Sequence, residues 1–221
     1  METSDQYIPD VAPPFTISSA LSKSWKLVPG SKGTYFAALG ICIAIGLGFL
    51  IVRALIVDFG NNVHPGLIEI GFNLVQQVVS YALGAGIMLI SIRRARGEFI
   101  RATMVFDGFD RLGPLILLLI MMGLAVLLGM ILLILPGIYL AVAYSFAVPL
   151  CIDKGLGPWE AMEVSRKLVT SRWFTYFFTY FLCGIITIIS ALPFGIGLIW
   201  TIPMTYNLIG SLYVEAFNRS K

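Results

Sequence analysis

Long apolar runs alternate with short charged segments along the whole chain. Two runs, 34–57 and 66–92, contain 24 and 27 residues, and two longer runs, 114–152 and 173–214, contain 39 and 42. About 20 helical residues cross a bilayer core of roughly 30 Å. Each shorter run therefore predicts one transmembrane helix, and each longer run predicts a pair of helices that folds back on itself.

Proline and glycine mark the points at which the two longer runs fold back. Pro136-Gly137 divides the first of them, and Pro193 with Gly195 divides the second, because proline ends a helix and glycine favours a turn. The predicted fold class is an all-α integral membrane protein with six transmembrane helices. The predicted spans are 34–57, 66–92, 112–134, 137–152, 174–192 and 195–217.

The positive charges fall on one side of the six predicted spans. Of the 15 Lys and Arg residues, only Arg53 lies inside an apolar run, and the three loops on the opposite side carry none. Cytoplasmic loops of membrane proteins are enriched in Lys and Arg. Both chain termini are therefore expected in the cytoplasm.

Two segments that precede predicted spans share the pattern A-x3-S-x-K-L-V, at 20–28 and 161–169. The second lies in 157–170, which predicts an amphipathic helix too short and polar to span a bilayer, and 98–111 is a weaker third candidate. We expect a disordered cytosolic tail, 1–15, and a single membrane domain, 16–221. Two explanations of the pattern remain open. The chain is built from three repeated units, each an interfacial helix followed by a hairpin, or the segments have converged independently on a similar composition. The units are about 16–92, 98–152 and 157–217.

Composition agrees with a membrane environment. Hydrophobic residues make up 58% of the chain and charged residues 12%, with a mean hydropathy of +0.89, whereas soluble domains carry about 25% charged residues. The net charge of +3 is concentrated beside the spans, which favours anionic lipid headgroups over nucleic acid as partners. The candidate contacts to lipid or to a protein partner are Lys23, Lys26, Arg93, Arg94, Arg96, Arg166, Lys167 and Arg172.

Span two carries a polar stripe. Glu69, Asn73, Gln76 and Ser80 are spaced four, three and four residues apart, so they share one helical face, with Gln77 beside it. Arg53 lies at a depth similar to that of Glu69, so the two are expected to pair. The stripe is either a solute or proton path, or a set of helix–helix contacts with a satisfied ion pair.

Other features of the spans concern helix shape and packing. Pro149 and Pro203 are expected to interrupt spans four and six. Small residues four apart, such as Ala82 and Gly86, allow helices to approach closely within one chain or in a homo-oligomer.

No residues with recognisable catalytic or metal-binding spacing are present. His64 and Asp58 are only two potential ligands, and the three cysteines, Cys42, Cys151 and Cys183, are expected to be free thiols. The sequence contains no zinc-protease, nucleophile-elbow or phosphate-loop motif. The cytosolic acids lack an accompanying base or nucleophile, so no catalytic residue, metal or cofactor is predicted. Those acids are Asp107, Asp110, Asp153 and Glu160.

A stretch of 37 residues, beginning at LILPGIYL and continuing to the end of the second copy of the shared pattern, resembles a known family. It is similar to poorly characterised bacterial inner-membrane proteins related to the membrane domain of some glycerophosphodiester phosphodiesterases. The resemblance implies a six-span bacterial inner-membrane protein; with no phosphodiesterase domain in the chain, that activity does not carry over. The residues that carry it are Pro136, Gly137, Tyr139, Tyr144, Phe146, Asp153, Gly155, Pro158, Glu160, Ala161 and Ser165.

Taken together, these patterns predict a non-enzymatic protein of the bacterial inner membrane. It is expected to act through its basic cytosolic interfacial helices on lipids or on a protein partner. The alternative is a small-solute transporter or channel that uses the polar stripe of span two.

Overall fold

The computed structural model describes residues 12–55, 65–192 and 194–217, and these residues form helices and connecting turns without any strand. The helices are α1 (Ile17–Leu27), α2 (Lys32–Arg53), α3 (Pro65–Ala95), a 3₁₀ helix (Ala102–Arg111), α4 (Leu112–Leu132), α5 (Ile134–Ala143), α6 (Ala147–Asp153), α7 (Pro158–Thr170), α8 (Trp173–Ala191) and α9 (Leu198–Phe217).

Five helical stretches among the described residues are long and apolar enough to cross a membrane. They are Lys32–Arg53, Glu69–Ala95, Ala102–Leu132, Ile134–Asp153 and Trp173–Ala191. The sixth predicted span corresponds to α9, which has 20 residues but is more polar and is not among the five. The structure therefore describes a helical protein with five apolar membrane-length helices.

The turn between α4 and α5 lies earlier than predicted. Leu133 has an extended backbone (φ −163°, ψ 139°) and separates the two helices, whereas Pro136-Gly137 lies in the first turn of α5. Proline is tolerated there because the first helical N–H groups have no intrahelical acceptor. The predicted break at Pro136-Gly137 is thus wrong by three residues. Gly137 instead lets the two helices touch, since a Cβ on Gly129 would lie 3.0 Å from the Gly137 Cα.

The turn between α8 and α9 matches the prediction more closely. Helix α8 ends at Ala191, and Phe194 and Gly195 both have positive φ angles, of 51° and 75°. Pro193 lies outside the described residues. Glycine adopts this left-handed conformation without strain, which explains why the chain reverses here.

The fourth predicted span is a broken helix. Helix α5 ends at Ala143, and α6 begins at Ala147, so the interruption precedes Pro149, which occupies the first turn of α6. The prediction that Pro149 itself interrupts the span is therefore wrong. Pro203, also expected to break a helix, lies within the continuous α9. The break places Phe146 in the core, with its ring centroid 5.5 Å from that of Tyr176.

The three short helices that precede the hairpins or lie between them, α1, the 3₁₀ helix and α7, pack on the hairpins in a cyclic order. The 3₁₀ helix packs mainly on α3 and also on α2, and α7 packs on α4, α5 and α6. Each therefore lies on the hairpin that precedes it in the chain. Helix α1 packs on α9 and α8, the last hairpin in the described part of the chain, and so completes the ring. We call the end of the molecule formed by α1, the 3₁₀ helix, α6 and α7 the base.

The three hairpins are formed by α2 and α3, by α4 and α5, and by α8 and α9. The half of each hairpin that lies away from the base is exposed, and we call these halves the first, second and third arm. Leu50 and Leu74 on the first arm are 59% and 62% exposed, and Leu128 and Ile188 on the other two are 58% and 68% exposed. Apolar side chains exposed to this extent are expected where lipid is the solvent. The packed core therefore lies in the base half of the molecule.

The tightest contact in the base is between α3 and the 3₁₀ helix. A Cβ on Gly86 would lie 1.9 Å from the Val105 carbonyl oxygen, and one on Gly108 would lie 1.9 Å from that of Ala82. The two backbones therefore touch, which only glycine permits at these two positions. Close packing at Ala82 and Gly86 is what their four-residue spacing predicts.

The residues directly before α1 pack against the rest of the protein. Phe15 lies edge-on to Tyr176, with ring centroids 5.0 Å apart, and the Ala12 amide donates to the Ser171 hydroxyl at 3.0 Å. These residues belong to the predicted tail and contact the α7–α8 junction. Residues 1–11 lie outside the described part of the chain.

Candidate functional site

Ser165 on α7 holds the broken span together. Its hydroxyl is fully buried, donates to the Ala143 carbonyl at 2.7 Å and accepts from the Phe146 amide at 3.1 Å. The carbonyls at the end of α5 and the amides at the start of α6 lack intrahelical partners. One serine therefore satisfies both ends of the break and fixes α7 against them.

The two copies of A-x3-S-x-K-L-V bury the same positions. Ala20, Ser24 and Val28 are at most 2% exposed, and their counterparts Ala161, Ser165 and Val169 are fully buried. The shared lysines face the other way: Lys26 is exposed, and the Lys167 side chain is 59% exposed. An amphipathic helix is what the sequence predicts over 157–170, and α7 buries five side chains, namely Ala161, Met162, Ser165, Leu168 and Val169.

Arg96 and Asp153 form the most enclosed ion pair of the base. Two guanidinium nitrogens donate to the two carboxylate oxygens at 2.7 and 2.6 Å, and the Tyr213 hydroxyl donates to the same carboxylate at 2.8 Å. The Arg96 and Asp153 side chains are 22% and 11% exposed. The hydrogen bonds to Asp153 raise the pKa of Arg96. This network joins the ends of α3, α6 and α9.

Most of the other predicted headgroup contacts also have protein partners. Arg94 donates to the Pro29 carbonyl at 2.6 Å and to the Leu27 carbonyl at 3.2 Å, where a cation favours a helix C-terminus. Arg172 donates to the Ala12 carbonyl at 3.1 Å. Ion pairs join Arg93 to Asp107 (2.8 Å), Lys23 to Glu215 (3.4 Å) and Arg166 to Glu163 (2.8 Å). The last lowers the pKa of Glu163.

Lys26 and Lys167 differ from these cations. No partner for Lys26 is found among the described residues, and the Lys167 amine lies 3.6 Å from the Glu163 carboxylate, which also pairs with Arg166. Exposed tryptophans accompany them: Trp25 is 48% exposed and Trp159 is 69% exposed. Tryptophan and lysine together are typical of a membrane–water interface.

The polar stripe of α3 does not face the packed core. Arg53 donates to the Glu69 carboxylate beside it. Gln76 and Ser80 line an open cavity of about 200 Å³ between α2 and α3, together with Cys42, Gly46 and Phe49 among others. Asn73, Gln77 and Ser80 are exposed. The structure thus divides the stripe between the α2–α3 groove and the outer surface.

A second cavity, of about 380 Å³, lies in the base and is mainly lined by charged residues. Two of its acids, Asp107 and Asp153, already pair with arginines, and Glu160 is not among its lining residues. Within the described ranges, no group of three His, Cys, Asp or Glu side chains is placed to hold a metal ion. The charged residues that line the cavity are Arg93, Arg96, Arg111, Glu98, Asp107, Asp110 and Asp153.

The remaining candidates are the three cysteines and the pair Asp58 and His64. Cys151 and Cys183 are buried free thiols, and Cys42 is a partly exposed one. Asp58 and His64 lie outside the described residues. Comparison of the chain with protein-family models, with curated proteins and with solved structures gave no match in any of the three.

Proposed function

We propose that this chain is a non-enzymatic protein of the bacterial inner membrane, with six spans and both termini in the cytoplasm. In this proposal α9 is the sixth span, and the base is cytosolic because it carries the basic segments. The five apolar helices and the charge distribution support this arrangement. The resemblance of 133–169 to inner-membrane proteins points the same way.

The base would act on anionic lipid headgroups through α1 and α7. The observation that carries this proposal is the common orientation of the two helices: each buries its Ala, Ser and Val and exposes its lysine. The exposed Trp25 and Trp159 would lie among the headgroups while Lys26 and Lys167 pair with lipid phosphates. A protein partner with an acidic surface is the alternative ligand for the same face.

A solute path along α3 has less support. Such a path needs polar side chains around a cavity that excludes lipid, whereas Asn73 and Gln77 lie on the surface, and the groove beside Gln76 is open. The transporter alternative would require an additional wall that no described residue supplies.

Replacing Lys26 and Lys167 with glutamine tests the headgroup proposal. Each lysine near an anionic surface contributes about 1 kcal/mol, so the double variant is expected to bind anionic lipid about 30-fold more weakly. The measurement is lipid binding by native mass spectrometry, with phosphatidylglycerol titrated against phosphatidylcholine.

The matched control keeps the charge at both positions as arginine and is expected to bind like the original protein. Equal binding by the glutamine and arginine variants would contradict the proposal. Loss of an acidic protein partner without any change in lipid binding would favour the alternative ligand.

A further inference from the structure

The three arms differ in the chemistry that they expose. On the second arm the exposed side chains are apolar, such as Leu124 and Leu128. On the third arm the hydroxyls of Thr187 and Ser190 donate to carbonyls of their own helix, at 2.9 and 2.7 Å. Lipid tails can cover these side chains without leaving their hydroxyl groups unpaired.

The first arm exposes amide groups that are not satisfied in this way. Asn73, Gln77 and Ser80 are exposed on one face of α3, and within the described ranges their side chains have no hydrogen-bond partner. Gly84 continues this face one turn further, and a Cβ added there would meet no atom within 4 Å. Ser80 and Gly84 also line the open cavity between α2 and α3, which this face borders. We call these four residues the stripe face.

Gln77, in the middle of the stripe face, lies at the depth of the hydrocarbon core. Gln77 precedes Arg93 by 16 residues, which is about 24 Å along a helix that rises 1.5 Å per residue. It also precedes Ala82, where the 3₁₀ helix of the base touches α3, by five residues, or about 7.5 Å. Wherever the cytosolic boundary falls between Ala82 and Arg93, Gln77 is inside a core of roughly 30 Å. Polar groups at this depth are costly unless a hydrogen-bonding surface covers them.

We propose that a second copy of this chain covers the stripe face, with α3 packed against α3 about a two-fold axis along the membrane normal. Such an axis holds both copies at the same depth, so Gln77 faces Gln77 of the partner subunit. A side-chain amide both donates and accepts hydrogen bonds, so two glutamines satisfy each other. Ser80 and Gly84 are small and allow the two helices to approach closely below this pair.

This proposal concerns the arms and does not depend on headgroup binding by the base. The test uses the full-length chain in liposomes, with the fraction of dimers counted by single-molecule photobleaching as the protein-to-lipid ratio is varied. The double variant Asn73→Leu/Gln77→Leu is expected to raise the dimer dissociation constant about tenfold or more, equivalent to about 1.4 kcal/mol. Thr187→Val, a polar-to-apolar change on the third arm, is the matched control and should leave dimerisation unchanged.

A cross-linking experiment locates the interface independently of any loss of stability. In a chain whose three native cysteines are replaced by alanine, Gln77→Cys is expected to cross-link between copies with a short bis-maleimide, and Leu124→Cys is not. A chain that stays monomeric at every density would overturn the proposal, as would dimers that cross-link through position 124 alone. Monomers that conduct a solute in a Gln77-dependent manner would overturn it in favour of a solute path.

Discussion

Gly86→Ala is expected to destabilise the protein by about 3 kcal/mol or more, because the added methyl group has no space. Its Cβ would lie 1.9 Å from the Val105 carbonyl oxygen and 2.7 Å from the Val105 Cα. These are backbone atoms of the 3₁₀ helix, which cannot rotate away as a flexible side chain can. The whole helix would have to separate from α3, and the buried Val105 side chain would lose its packing. Unfolding in mixed micelles with increasing denaturing detergent measures the change.

Gly71→Ala, in the same helix, is the matched control. A Cβ at Gly71 meets no atom within 4 Å, and alanine is favoured over glycine inside a helix by about 0.5–1 kcal/mol. The two substitutions are therefore expected to change stability in opposite directions. If both variants unfolded at the same detergent fraction, the close contact between α3 and the 3₁₀ helix would be refuted.

Asp153→Leu is expected to cost about 3 kcal/mol, because it leaves the Arg96 guanidinium without its anion in a partly buried site. The Tyr213 hydroxyl would lose its acceptor at the same time. The matched control is Asp107→Leu, which removes the partner of Arg93 at side-chain exposures of 31% and 33%. That pair is more exposed, so its loss is expected to cost about 1 kcal/mol or less.

A double-mutant cycle separates the pair from the general effect of adding leucine. Arg96→Leu/Asp153→Leu removes both charges, and replacing both ions of an enclosed pair with apolar groups is often nearly neutral. The double variant should therefore be more stable than Asp153→Leu alone. Additive losses from the two single substitutions would show that the charges do not interact.

The sequence predicted the helical pattern well where length and periodicity determine it. The bounds of α2, α4 and α8 lie within a few residues of the predicted spans at their described ends. The buried face of α7 followed from its helical spacing. The proximity of Arg53 and Glu69 followed from their matching depths on two helices joined by a short loop.

Three features depend on long-range contacts that no local pattern encodes. The break after Ala143 has no proline in it and is held by Ser165, which lies 22 residues further along the chain. The packing of α1 on α9 joins opposite ends of the sequence. The arginines at the C-terminal end of α3 were expected to contact headgroups, but Arg96 pairs with a carboxylate 57 residues away. Their positive charge was apparent in the sequence, whereas their partners required the fold.

The depth of Trp25 and Trp159 in the membrane tests most directly whether the exposed faces of α1 and α7 lie against lipid headgroups. Single-tryptophan variants, with the other tryptophans changed to phenylalanine, would be reconstituted with lipids brominated near the top of their acyl chains. We expect strong quenching of both fluorophores, stronger when the brominated lipid is anionic, and little quenching by aqueous acrylamide. Quenching by acrylamide alone would place these faces in water and exclude headgroup contact.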